Sequence, residues 1–139
     1  MRCEPSGHYR LIEPTQGKVI ASHVRIARSL WSRMKGLLGR RALEGGEALM
    51  FPRCSSIHTI GMRLSIDAIF VDKAFRVVSI KEHLAPGRLV PPVWAAWGVV
   101  ELAEGTLDRV GLKAGDQLRL LPADPNPPCQ GEGNSEKNP

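Results

Sequence analysis

From residue 48 onward, apolar runs of strand length alternate with turn residues. ALMF (48–51) ends at Pro52, SIHTIGM (56–62) is followed at once by SIDAIFVD (65–72), and RVVSIKEHL (76–84) runs into the irregular stretch APGRLVPP (85–92). WGVVELAEG (97–105) and DQLRLL (116–121) complete the series, the last launched by the turn pair Gly115–Asp116. Upstream, KVIASHVRIA (18–27) is rich in β-branched residues and predicts one or two further strands. The pattern changes once. In RSLWSRMKGLLGRRAL (28–43), Leu30, Trp31, Met34, Leu37 and Leu38 recur at helical spacing, with Arg28, Ser32, Arg33 and Lys35 on the other side.

Many short strands with a single helix in the N-terminal half predict a mainly β, two-sheet sandwich or barrel rather than an alternating α/β fold. Residues 1–17 read as a flexible lead-in and 18–121 as one domain. Residues 122–139, PADPNPPCQGEGNSEKNP with Leu121 before them, have almost nothing to bury and read as a disordered tail.

SIDAIFVD poses a chemical question. Alternation puts Ile66, Ala68 and Phe70 on one face and Asp67, Ile69 and Val71 on the other, so both faces are apolar except at Asp67. A carboxylate taken out of water costs several kcal/mol unless it is paired or hydrogen-bonded. Closing SIHTIGM and SIDAIFVD into a hairpin at Arg63 and Leu64 would make His58 and Asp67 diagonal neighbours roughly 7 Å apart, with Arg63 as a competing partner. Glu101 repeats the problem between Val99 and Ala103. His58, Arg63, Asp67 and Glu101 are thus expected to form one polar cluster that either lines a ligand pocket or fixes strand register. A hydrolytic or thiol-dependent enzyme using Cys54, with His58 as base and Asp67 or Glu101 as orienter, is the catalytic alternative. Cys54, His58 and Asp67 are also suitable metal ligands, but they lack a metal-binding spacing, so no metal and no cofactor is expected.

Composition trims these choices. The chain has 139 residues, a net charge of +5 and only 5% aromatic residues, too sparse for stacking platforms, so nucleic acid is not the expected partner. Arg25, Arg28, Arg33, Lys35, Arg40, Arg41, Arg53 and Arg63 concentrate positive charge, which leaves a polyanion-binding module through helix 28–41 as a third alternative. Three cysteines, at positions 3, 54 and 129, do not suggest a disulfide scaffold. No apolar run reaches the roughly twenty residues of a membrane helix, and Glu4, Pro5 and Arg10 interrupt the N-terminus, so a cytoplasmic location is expected.

RMKGLLGR followed by SIHTIGMRLSIDAIFVD, then RVVSI, VVELAEGT and GLKAGDQL, resembles the DUF192 family over about residues 18–121. The resemblance implies a compact, jelly-roll-like β fold with a short helix near its start, and no known reaction. Its pattern falls on Gly36, Leu37, Arg40, His58, Thr59, Met62, Ile66, Asp67, Phe70, Glu101, Gly105, Gly115 and Asp116. Relatives commonly carry a glycine in the hairpin after the central strand, where this chain has Ala74 and Phe75, and many carry an export leader. The expectation is therefore a small binding protein whose site comprises His58, Thr59, Met62, Arg63, Asp67 and Glu101, for a small ligand or a protein segment.

Overall fold

The computed structural model describes residues 8–27 and 45–122. Among them are nine strands and one short helix: β1 (His8–Glu13), β2 (Lys18–Ile26), β3 (Glu47–Pro52), β4 (Ile57–His58), β5 (Ile66–Val71), β6 (Val77–Leu84), β7 (Leu89–Val90), β8 (Gly98–Ala103), α1 (Thr106–Val110) and β9 (Arg119–Pro122). Seven strands form a mixed sheet in the order β6-β5-β8-β3-β2-β1-β9, and β4 with β7 forms a two-stranded sheet of its own. β2 and β3 run parallel, and the other neighbours are antiparallel. The fold is mainly β with two sheets, as expected, but it is not a closed barrel. The edge strands approach at one end only, where Arg76 bridges Gln117 and Leu118 N–H donates to the Phe75 carbonyl.

The central strands β3, β5 and β8 of the large sheet are buried on both faces. Ile69, Val71, Val100, Leu102, Met50 and Ala48 belong to one apolar cluster, joined by Leu107 and Val110 of α1. Ile66, Ala68, Phe70, Val99, Leu49 and Phe51 form the other, joined by Ile57 and Val90 of the small sheet. Strand alternation explains the division: neighbours in sequence point to opposite faces, and directly paired residues share one. All six residues of β5 are buried, which is why its sequence is apolar at both parities.

Several expectations change. Residues 8–13, assigned to a flexible lead-in, form β1 between β2 and β9. KVIASHVRIA is a single strand. The hairpin between SIHTIGM and SIDAIFVD does not form: β4 pairs with β7, Ile57 opposite Val90 and His58 opposite Leu89, while β5 pairs with β6 and β8. The chain turns away at Gly61, whose φ of 87° suits glycine. Thr59 fixes the diversion, its Oγ1 donating to the Ala85 carbonyl at 2.6 Å and accepting the Arg88 N–H at 2.7 Å. After β5, Phe75 takes a left-handed φ of 64° in the turn where the family resemblance implied a glycine. Asp72 Oδ1 accepts the Ala74 and Arg76 N–H groups there, and the Phe75 ring lies 6.3 Å from that of Trp97. The helix expected over 28–41 and the tail beyond residue 122 lie outside the described residues. No helix among the described residues is long and apolar enough to cross a membrane.

Gly98 marks the tightest point between β3 and β8. A Cβ there would stand 2.8 Å from Met50 Cε and 3.2 Å from the Phe51 carbonyl oxygen, whereas one at Gly45 meets nothing within 4 Å. Gly98→Val should lower unfolding free energy by about 2 kcal/mol in urea denaturation, and Gly45→Ala should change it by no more than about 0.5 kcal/mol.

Candidate functional site

Asp67 is fully buried, and the question it raises has a backbone answer. Its Oδ1 accepts the His83 N–H at 2.9 Å. Its Oδ2 accepts the N–H groups of Gly105 at 3.1 Å and Leu107 at 2.9 Å. Three amide donors on one carboxylate replace the water it has lost, and charge-assisted bonds of this kind are stronger than neutral ones. The geometry follows from strand order. β5 lies between β6 and β8, so the first turn of β5 reaches the exits of both neighbours. His83, with a left-handed φ of 54°, sits in the break of the β5–β6 ladder opposite Asp67, between the pairs Ile66–Leu84 and Ala68–Lys81, and Gly105, at 91°, starts α1.

Over this buried anchor stands an exposed cluster that the sequence reading missed. His83 Nδ1 lies 2.9 Å from Glu104 Oε2, and Nε2 lies 3.0 Å from Asp108 Oδ2. Hydrogen bonds donated to Glu104 and then to Asp108 raise the His83 pKa from 6.5 to about 9, so the ring is an imidazolium at neutral pH. Both nitrogens then donate to carboxylates, and neither is left to act as a general base. Ligand atoms of Glu82, His83 and Asp108 lie within 4.8 Å of one another, close enough to hold a metal ion together. As it stands, the cluster is an ion-paired clasp joining the end of β6 to α1. The sequence signal was slight: Glu104 and Asp108 are four residues apart, and only the strand order brings them to His83.

The residues expected to share one pocket are distributed over three places. Asp67 pairs with Leu102 and faces the cluster beneath α1. Glu101 is also fully buried, but it pairs with Leu49 and Ala68, on the opposite face. The sheet itself therefore separates the two carboxylates, and a single polar pocket around His58, Arg63, Asp67 and Glu101 is not what forms. His58, Thr59, Met62 and Arg63 belong to the small sheet and its turn. Ile57 and Val90 point inward, while His58 and Leu89 share the outer face. Thr59 is buried, Met62 packs against the core, and Arg63 is exposed. The Cys54 thiol donates to the Ser56 carbonyl at 2.9 Å and packs against the same core cluster, an arrangement that orients it toward backbone rather than toward an imidazole base.

The small sheet and the chain that follows each of its strands carry exposed apolar groups. Trp94 is 92% exposed, Leu89 71% and Ile60 54%. Next to Trp94 in the chain, Ala95, Ala96 and Trp97 form one wall of an open groove of about 490 Å³ whose other wall is Asp72, Lys73 and Ala74.

The DUF192 family model, described as "Uncharacterized ACR, COG1430", matches residues 11–120. The chain belongs to the DUF192 family. A UPF0127 protein of Thermococcus sibiricus is 31% identical over 112 residues, spanning 78% of this chain and 72% of that protein. A Sinorhizobium meliloti protein named as a candidate transcription regulator superposes with a TM-score of 0.64 at 25% identity, covering 81% of this chain and 92% of its own. A Novosphingobium aromaticivorans protein of unknown function shares the fold, with a TM-score of 0.67 at 24% identity over 85% of this chain and 91% of its own. Among the positions on which the DUF192 pattern falls, Asp67 and Gly105 meet in one hydrogen bond, so part of that pattern secures the junction of three elements.

Two outcomes follow. Asp67→Asn keeps the shape but turns an NH2 toward at least one backbone donor. It should cost about 2–3 kcal/mol in chemical denaturation and speed amide exchange first at His83, Gly105 or Leu107. A loss below about 0.5 kcal/mol would remove Asp67 from its anchoring role. For His83, the folded-state pKa is raised, so the clasp contributes fully below about pH 6.5 and its contribution is lost as pH rises through about 9. An NMR titration should place the imidazole midpoint near 9 and move it down toward 6.5 in Glu104→Gln and in Asp108→Asn.

Proposed function

We propose that this DUF192 protein is a binding module that receives a segment of another protein along the small-sheet side of the fold. The observation that carries this reading is Trp94, 92% exposed and adjacent in the chain to a groove walled by Ala95, Ala96, Trp97, Asp72, Lys73 and Ala74. An indole held in water forgoes the burial available to it, and aromatic anchors beside a concavity are typical of the centres of protein contacts. The groove volume lies within the range of natural ligand sites, and its open form suits a chain passing across it. Leu89 and Ile60, on the small sheet and the turn after β4, add further exposed apolar groups, with the exposed Arg63 close by in the chain.

Catalysis is not needed for this reading. The His83 imidazolium is held between two carboxylates, and the Cys54 thiol is bonded to a carbonyl. Neither group has the arrangement of an activated nucleophile and its base.

Titrating the full chain with a pool of short peptides rich in Leu and Phe should shift amide resonances of residues 72–74 and 93–97 and change Trp94 fluorescence. Trp94→Ala should weaken the response at least tenfold, the scale of a tryptophan anchor. Amide shifts confined to other parts of the molecule, or none at all, would remove the groove as a binding site.

A further inference from the structure

We infer that the segment bound on this face is acidic as well as apolar, its carboxylates meeting Arg63 and Arg88 while its apolar side chains cover Leu89, Ile60 and Trp94. This rests on the proposed function above and adds the chemistry of the partner. Two segments build the face, residues 53–65 and 85–97, and they are tied together by the Thr59–Arg88 backbone bond, the Thr59 hydroxyl and the Val93–Ser55 bond. Together they carry Arg53, Arg63 and Arg88, all exposed, and not one Asp or Glu, in a chain with 14 acidic residues. None of the three arginines is in an ion pair among the described residues. Asp72, on the far wall of the groove, is occupied in its own turn by the Ala74 and Arg76 amides.

The acids lie elsewhere. Glu82, Glu104 and Asp108 gather around His83 beside α1, which packs on the opposite face of the large sheet from Ile57 and Val90. Basic groups are found there too, Arg109 in the last turn of α1 and Lys18 on the Val110 carbonyl, so it is the absence of acids that sets the small-sheet side apart. That side presents arginines interleaved with large apolar groups, and an acidic segment meets opposite charge there at every approach. Arginine forks favour carboxylates in paired geometry, so the contact selects charge and spacing together. A groove with two walls favours a chain that can enter it over a flat lipid surface.

The test compares three peptides of roughly ten residues that share one Leu/Phe framework and differ in carrying Glu, Gln or Lys between the apolar positions. Binding is read by Trp94 fluorescence and amide shifts on the full chain. The Glu peptide should bind about tenfold more tightly than the Gln peptide, as a few exposed ion pairs provide, and the Lys peptide more weakly than either. The Glu advantage should vanish in the Arg63→Glu, Arg88→Glu double variant, and in the parent protein at an ionic strength of about 0.5 M. Both substitutions are at exposed positions, and an unchanged thermal melt verifies the fold. Equal binding of all three peptides, lost in Trp94→Ala, overturns the acidic partner and leaves the binding module standing. Absence of peptide binding overturns both, whether or not vesicles containing phosphatidylglycerol bind through the arginines. Concentration-dependent self-association abolished by the double variant also overturns the inference, by assigning the face to a second copy of this chain.

Discussion

The fold turns on a carboxylate that has no water and needs none. Asp67 sits in the middle strand of three, and its two oxygens hold an amide at the exit of β6 and two at the start of α1. Those amides would otherwise be short of partners: the strand ladder is interrupted at one and a helix begins at the others. One carboxyl group thus satisfies donors on both sides of β5 and fixes the course of each neighbour. An apolar residue at position 67 would bury well, yet it would leave the donors unmet, and an unmet buried donor costs more than a formed bond returns. The exposed clasp of His83, Glu104 and Asp108 exists because the backbone beneath it is held in this way.

Alternation along β5 and β8 does the rest of the sorting. Asp67 and Glu101 are separated by the thickness of a sheet, although each interrupts an apolar strand in the same manner. The face under Asp67 is closed by α1, and the face under Glu101 is covered in part by the small sheet. Glu104, Asp108 and His83 cluster near the first, and the exposed Leu89 belongs to the sheet that covers the second.

Most of the strands were legible because short apolar runs bounded by Gly, Pro and Asp carry their own boundaries, as at Glu47–Pro52 and Ile66–Val71. That Asp67 required partners was legible too, from the cost of an unpaired buried charge. Who the partners are was not. The sequence displays side chains, and Asp67 chose backbone amides from residues 16, 38 and 40 positions away, which no side-chain inventory can rank. The hairpin error had the same source. SIHTIGM abuts SIDAIFVD, and proximity in sequence favours pairing, but Gly61 and the buried Thr59 carry the chain to the 85–90 segment instead. The short helix Thr106–Val110 did leave a trace, with Gly105 and Gly111 bracketing it and Leu107 and Val110 three apart on its buried side.

That displaced segment is also where function is best sought. A two-residue pairing such as β4 with β7 adds little stability by itself, since isolated hairpins are marginal even when longer. Its inner residues, Ile57 and Val90, are fixed by the core, so the sheet's position is secure while Leu89, on its outer face, stays exposed. On the large sheet, by contrast, nearly every position of β5 and β8 is committed to one core or the other. Side chains without a structural task tend toward small polar types at the surface, because large apolar groups there gain nothing in the folded monomer. Leu89 on β7 and Trp94 in the chain that follows it depart from that expectation. The proposed partner contact would give both a burial they lack in this chain alone, and a rigidly seated, lightly built sheet is a suitable mount for it.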